Sequence, residues 1–180
     1  MVAQLLHHLS NWYYNSSSSD FIRKLSEAKR KNEAKAAAAA ADSSILLSYT
    51  HAFHIIDSAL HSLSPPEDSG IVYVSKGPNT MDISRSVFPV EHSRLRLDAG
   101  SYATTSVGLG YAIAVHEAYN GLATEASWGT SSRKKIVAIK GDSAFGFSGM
   151  EVETMARFQM DVLIFVIDNG GIYFGDSNPF

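Results

Sequence analysis

The chain has 180 residues, 45% of them hydrophobic, and a formal net charge of -3 at pH 7. This length and composition predict one main folded domain, and the weakly acidic balance argues against a nucleic-acid-binding surface. The sequence contains no cysteine, which excludes disulfides and thiolate metal sites and fits an intracellular protein. No apolar run approaches the roughly 18 residues of a membrane-spanning helix, so we expect no membrane partner.

The first 42 residues differ in composition from the remainder of the chain. The serine-rich stretch NSSSSD predicts a loop, and the alanine-rich stretch from Asp20 to Ala41 predicts a helix with Asp20 as its N-cap. Lysine and arginine cluster between Arg23 and Lys35, but interleaved acidic residues favour a solvated helix face over a nucleic-acid site. We interpret residues 1–42 as the end of a preceding domain and a helical linker.

From residue 43 onward, helical and strand patterns alternate. Apolar residues recur at helical spacing from Tyr49 to Leu63, and the following SPPEDSG ends this helix. Three apolar runs rich in β-branched residues then predict buried strands. These runs are IVYVS at 71–75, KIVAIKGD at 135–142 and VLIFVI at 162–167.

Two further helices are predicted between these strands. Small residues from Thr104 to Tyr119 favour a closely packed helix. The S-x-x-E spacing of Ser148 and Glu151 predicts a capping box for a helix at 149–158. Strands that alternate with helices predict an α/β fold, with an open parallel sheet flanked by helices.

Polar residues follow two of the predicted strands. Gly141 and Asp142 end the second run, and Asp168 and Asn169 follow the third. In an open parallel sheet, ligands bind outside the carboxyl ends of the strands. Carboxylate and carboxamide oxygens suit Mg²⁺, and backbone amides after Gly141 are suited to phosphate. The sequence therefore predicts a magnesium and diphosphate site, while ordinary turn chemistry is the alternative explanation.

Four segments carry a resemblance to a known group of enzymes. They are GPNTMDISRS at 77–86, RLRLDAGSYATTSVGLGYAIA at 94–114, GDSAFGFSGMEVETMARF at 141–158 and DNGGIY at 168–173. In this order they resemble thiamine-diphosphate enzymes of the 2-hydroxyacyl-CoA lyase and oxalyl-CoA decarboxylase group. The resemblance implies the thiamine-diphosphate-binding fold in truncated form, with residues 43–180 as a partial diphosphate-binding domain.

The resemblance also implies two cofactors, thiamine diphosphate and Mg²⁺. It assigns Mg²⁺ to Asp142, Asn169 and the carbonyl of Gly171, and it places Tyr173 at the reaction centre as a catalytic candidate. The residues implied to contact thiamine diphosphate are Asn79, Thr104, Thr105, Gly141, Ser143, Ala144, Asn169 and Ile172. For Asn79 and Tyr173, a turn residue and a packed aromatic are the alternative explanations.

The implied activity is cleavage of a carbon–carbon bond in a 2-hydroxyacyl-CoA, giving an aldehyde and formyl-CoA, as in fatty acid α-oxidation. Oxalyl-CoA decarboxylation is one alternative, and a catalytically inactive truncated homologue, acting by cofactor binding or assembly, is another. An acyl-CoA is the implied substrate partner, and at least a homodimer is expected at full length. The implied location is peroxisomal or cytoplasmic.

The sequence departs from the group's pattern at several positions. Thr105 stands where the group has a bulky apolar residue against its cofactor, and SKGPN stands where SEGAN is expected, which places Lys76 and Pro78 near the site. No stretch matches the N-terminal domain whose glutamate activates the cofactor. We therefore expect a fragment or truncated copy that supplies at most half a site and does not catalyse on its own.

Two other patterns carry weaker signals. GLG at 108–110 suggests a dinucleotide fingerprint, but Ile113 stands where a third glycine or alanine is required. His51 and His54 share a helix face without an evident third ligand, so we expect a packed or exposed face rather than a metal site.

Overall fold

The computed structural model describes residues 8–9, 11–41, 47–121 and 133–171. Contacts within the chain divide it into two units, Met1–Ala38 and Ala39–Phe180. The interpretation of residues 1–42 as a linker, and of 43–180 as a partial cofactor domain, stays a prediction.

The first unit contains most of helix α1, Asp20–Ala40. Its strong helix formers explain its length, and ion pairs such as Lys24 Nζ to Asp20 Oδ2 at 2.8 Å stabilise its exposed surface. The Ile22 N–H donates to Ser19 Oγ at 3.4 Å. Ser19 therefore acts as the N-cap, and the prediction of Asp20 for this role is wrong because Asp20 is already the first helical residue.

The second unit is built on a four-stranded parallel sheet in the order β2-β1-β3-β4. The strands are β1 Ile71–Lys76, β2 Arg96–Leu97, β3 Lys135–Gly141 and β4 Val162–Ile167. The three long strands coincide with the three predicted apolar runs, and the predicted α/β fold with an open parallel sheet is confirmed. The prediction that β4 is buried is wrong, because β4 is an edge strand whose Leu163 and Val166 are exposed.

Helices cover both faces of this sheet. They are α2 Tyr49–Leu63, α3 Pro78–Val87, α4 Gly108–Asn120, α5 Asp142–Gly146 and α6 Glu151–Arg157. Val72 and Val74 share a core with residues of α4 and α6. Ile71 and Tyr73 share another with residues of α2 and α3. Alternate side chains of β1 thus enter two separate cores, because successive side chains of a strand point to opposite faces.

Local structure differs from the sequence-based expectation around residues 104 and 148. Helix α4 begins at Gly108, and a short 3-10 turn at Thr105–Val107 precedes it. Helix α6 begins at Glu151 without a side-chain cap, so the predicted capping box is wrong. The hydroxyl group of Ser148 forms other contacts. Ser148 Oγ donates to the carbonyl of Ala144 and lies 3.2 Å from Lys140 Nζ.

Among the described residues, no helix is both long enough and apolar enough to cross a membrane.

Candidate functional site

The carboxyl ends of β1, β3 and β4 meet at one edge of the sheet. Lys76 pairs with Lys140, and Gly141 pairs with Ile167, so the residues that follow these strands lie side by side. A cleft opens at this edge. It is lined by Tyr49, Gly77, Pro78, Asn79, Thr80, Gly141, Asp142, Ser143, Ala144, Asn169 and Gly171. Seven of the predicted site residues are thus brought together, namely Asn79, Gly141, Asp142, Ser143, Ala144, Asn169 and Gly171.

Two glycines let the ends of β1 and β3 approach closely at the floor of the cleft. Gly77 has a φ of +104°, and a Cβ there would lie 3.3 Å from the Gly141 nitrogen. A Cβ on Gly141 would lie 3.2 Å from Thr80 Oγ1. A side chain at either position would therefore push the two strand ends apart or fill the space between them.

Oxygen atoms at the ends of two strands could act as ligands for a metal ion. Asp142 is the first residue of α5, and Asn169 Oδ1 accepts the Gly171 N–H at 3.4 Å. Asp168 Oδ1 instead accepts the Gly170 N–H at 2.9 Å, so Asp168 stabilises the turn after β4. A carboxylate, a carboxamide and the Gly171 carbonyl form a donor set that fits Mg²⁺ and does not fit Zn²⁺.

No group of three His, Cys, Asp or Glu side chains is placed to hold a metal ion within the described ranges. The predicted metal set contains one such residue, Asp142, and takes its other donors from an amide and a backbone carbonyl. Mg²⁺ commonly combines one or two carboxylates with water and substrate phosphates. The donor set therefore fits a metal that binds together with a diphosphate.

Backbone amides near the cleft fit a diphosphate group. Asn79 and Thr80 belong to the first turn of the ten-residue helix α3, at the end where the helix dipole is positive. Ser143 and Ala144 follow Asp142 on the other side of the cleft. The amides of a first helical turn carry partial positive charge and favour anions.

Tyr49 and Thr80 also line the cleft, and sequence reasoning missed both. Burial raises the pKa of Tyr49, interactions with the side chains of Thr80 and Asn79 lower it, and the negative charge of Asp142 raises it further. Tyr49 starts helix α2, directly after its capping residue Ser48. From the sequence, Tyr49 was counted only as part of the apolar face of this helix, and the segment GPNTMD gave no sign that Thr80 would be buried.

The remaining predicted residues are placed differently. Thr104 and Thr105 are not among the residues that line the cleft; the carbonyl of Thr104 accepts a hydrogen bond from Lys76 Nζ at 2.9 Å. Ile172 and Tyr173 lie outside the described residues. The roles assigned to these four residues stay predictions.

Two lysines lie fully buried directly behind the cleft. Lys76 and Lys140 immediately precede the cleft residues Gly77 and Gly141, and they are 1% and 0% exposed. Burial lowers the pKa of Lys76, while the charge of Asp98 opposes this effect. Burial, and to a smaller extent the charge of Lys76, lowers the pKa of Lys140 to about 8. The side chain of Lys140 therefore remains mostly protonated at neutral pH.

Comparison with protein families gives one match that covers the cleft. The family model described as thiamine pyrophosphate enzyme, C-terminal TPP binding domain, matches residues 76–174. This range is more than half of the 180-residue chain. It contains every residue that lines the cleft except Tyr49.

Several curated proteins are similar to the chain over most of its length. The 2-hydroxyacyl-CoA lyase of Arabidopsis thaliana is 38% identical over 159 residues, which is 88% of this chain and 25% of the relative. The 2-hydroxyacyl-CoA lyase 1 of Homo sapiens is 38% identical over 174 residues, which is 96% of this chain and 27% of the relative. The oxalyl-CoA decarboxylase of Escherichia coli K12 is 37% identical over 131 residues, which is 73% of this chain and 20% of the relative. The chain thus spans about a quarter of the length of the relatives that it matches.

Proposed function

The chain belongs to the thiamine pyrophosphate enzymes through their C-terminal TPP-binding domain, and on this premise we propose that it forms part of a carbon–carbon lyase. Its cofactor is thiamine diphosphate, another name for thiamine pyrophosphate, held together with Mg²⁺. The proposed substrate is a 2-hydroxyacyl-CoA, which is cleaved to an aldehyde and formyl-CoA. Relatives named 2-hydroxyacyl-CoA lyase, such as those at 38% identity, support this choice of substrate.

The observation that carries the proposal is the convergence of oxygen donors and backbone amides in one cleft. Asp142, Asn169 and the Gly171 carbonyl would hold Mg²⁺, which would supply positive charge for the diphosphate. Amides of Ser143 and Ala144 would bind the diphosphate oxygens, and Asn79 would approach from the opposite side. When bound, the cofactor supplies an electron sink for the electron pair of the broken carbon–carbon bond.

Removal of the Asp142 carboxylate tests this assignment. Asp142→Ala should abolish the Mg²⁺-dependent part of thiamine diphosphate binding, because among the described residues that line the cleft Asp142 carries the one carboxylate. Calorimetric titration of the chain with thiamine diphosphate, with Mg²⁺ and with excess chelator, measures this dependence. Asp82→Ala is the matched control, because Asp82 is an exposed carboxylate of helix α3 that does not line the cleft. Equal affinity of Asp142→Ala and the wild type would contradict the metal assignment.

Oxalyl-CoA decarboxylation is a second candidate, supported by the relative at 37% identity. Both reactions leave formyl-CoA, but the lyase releases an aldehyde and the decarboxylase releases carbon dioxide. Assay of the protein as isolated from its source, with each thioester in turn, distinguishes them by the second product.

A catalytically inactive homologue is the third candidate, and Thr105 supports it. Cofactor binding without either product would favour that candidate. A homo-oligomer and a peroxisomal or cytoplasmic location stay predictions.

A further inference from the structure

Two lysine side chains meet beneath the first residue of helix α4. Lys76 and Lys140 are register partners on neighbouring parallel strands, so their side chains extend from the same face of the sheet. A Cβ on Gly108 would lie 2.5 Å from Lys140 Nζ and 2.5 Å from Lys76 Cγ. Helix α4 therefore seals both side chains against the sheet, and the absence of a side chain at Gly108 makes room for them.

Each ammonium group is bonded to a segment beside the candidate cofactor site. Lys76 Nζ donates to the Thr104 carbonyl at 2.9 Å. Lys140 Nζ lies 3.2 Å from Ser148 Oγ, which lies 3.5 Å from the carbonyl of the cleft residue Ala144. Lys140 is thus two hydrogen bonds from the cleft, and Lys76 fixes the residue next to Thr105.

The charge of this pair is balanced only in part, because the negative charge of Asp98 acts on Lys76 while Asp98 itself forms an ion pair with Arg85. In the part of the chain that the structure describes, neither ammonium group forms an ion pair; Lys76 has the Thr104 carbonyl and the ring of Tyr111, at 5.5 Å, as neighbours. Two buried cations side by side are costly for the protein unless an anion or a neutral state compensates. The first turn of α4 adds partial positive charge at the same place.

We propose that Lys76 and Lys140 are positioning residues that hold the two segments flanking the cleft and give it a positive potential that favours a diphosphate ligand. This inference rests on the proposed function for its choice of ligand. A polyanion bound in the cleft supplies the negative charge that the pair lacks. The same potential disfavours a metal cation that binds without the diphosphate, so the cleft selects the metal and the diphosphate together.

Charge removal at constant side-chain length tests the inference. Lys76→Met and Lys140→Met each replace a buried ammonium group by an apolar group of similar volume, a change that folded proteins tolerate. Each variant should bind inorganic pyrophosphate, in the presence of Mg²⁺, about tenfold more weakly than the wild type. Each should bind Mg²⁺ alone about tenfold more tightly. A merely structural role would weaken the binding of both ligands or of neither. Changes of opposite sign in the two affinities therefore identify the electrostatic effect. Calorimetry at pH 6.5 and low salt measures both affinities.

Lys135→Met is the matched control, because Lys135 lies at the other end of β3 and is exposed. It should leave both affinities unchanged. Unchanged pyrophosphate and Mg²⁺ affinities in Lys76→Met and Lys140→Met, or changes of the same sign, would overturn the inference, as would a wild-type chain that does not bind pyrophosphate. A different result would contradict the proposed function: the wild type would bind pyrophosphate, but its affinity for thiamine diphosphate would be no higher.

Discussion

At the scale of single residues, Lys140 is a charged side chain without exposed surface. Burial lowers its pKa from 10.5 to about 8, with a smaller contribution from the charge of Lys76. Below pH 8 the folded and unfolded chains both carry the proton, and folding bears the full cost of burying it. Between pH 8 and 10.5 the unfolded chain binds more protons than the folded chain, so this lysine makes stability rise with pH.

The variant Lys140→Met should remove this dependence. At pH 7 we expect it to be more stable than the wild type by about 2 kcal/mol, once solvent screening is allowed for. The difference should shrink as the pH rises towards 10.5. Urea denaturation at several pH values measures it, with Lys31→Met on the exposed surface of α1 as the control. A stability difference that stays constant across this pH range would show that Lys140 is not the titrating group.

Single residues also show how far the site could be predicted. Asp142, Asn169 and Ser143 were predicted because strand-end position and motif are both visible in the chain order. Tyr49 and Lys140 were not, because their positions depend on packing between elements. Tyr49 reaches the cleft only because helix α2 packs beside α3. Lys140 lies in an apolar segment, and the sequence alone does not show that a lysine within this segment will be fully buried.

At the scale of secondary structure elements, the start of α4 depends on Gly108. A Cβ there would fall within 3.0 Å of two Lys76 atoms and of Lys140 Nζ. Such distances lie well inside van der Waals contact, and Lys76 Cγ is close to the backbone and has little freedom to move. The close approach of α4 to the ends of β1 and β3 is therefore set by a missing side chain.

Substitution of this glycine gives a prediction with an internal control. Gly108→Ala should destabilise the fold by about 1 to 3 kcal/mol, the usual range for overpacking of a core. Gly110→Ala, in the same helix, should instead stabilise it by about 0.5 to 1 kcal/mol, because alanine favours a helix more than glycine does and no described atom outside the adjacent helix backbone lies within 4 Å of the added Cβ. Urea denaturation of the two variants and the wild type measures both changes. A Gly108→Ala chain as stable as Gly110→Ala would contradict the tight packing.

Elements differed in how well the sequence predicted them. The long strands were predicted because buried parallel strands form continuous apolar runs, as IVYVS does in β1. The two-residue strand β2 is too short to leave a pattern, and helix α3 has few apolar residues to show a helical period. The S-x-x-E spacing failed at Ser148 because its hydroxyl group interacts with Lys140 and Ala144 instead of capping α6. In this last case a tertiary contact decided the outcome.

At the scale of the whole molecule, the sheet has unequal edges. The edge at β2 is two residues long and is bordered by Arg96. The other edge is β4, whose six residues are all apolar. No strand pairs with the outer side of β4 in the part of the chain that the structure describes. Unpaired backbone groups on an uncharged apolar strand are a template for pairing with another chain.

We therefore expect the chain to self-associate through β4, and a charge on this strand should oppose it. Val166 is 43% exposed, so Val166→Lys places an ammonium group at the edge without entering the core. Sedimentation velocity over a range of concentrations should show a smaller associated fraction for Val166→Lys than for the wild type. Leu63→Lys is the control, because Leu63 is 84% exposed at the end of α2 and the change alters net charge equally. If both variants lower association to the same extent, net charge and not the edge of β4 controls it, and a wild type that stays monomeric removes the premise.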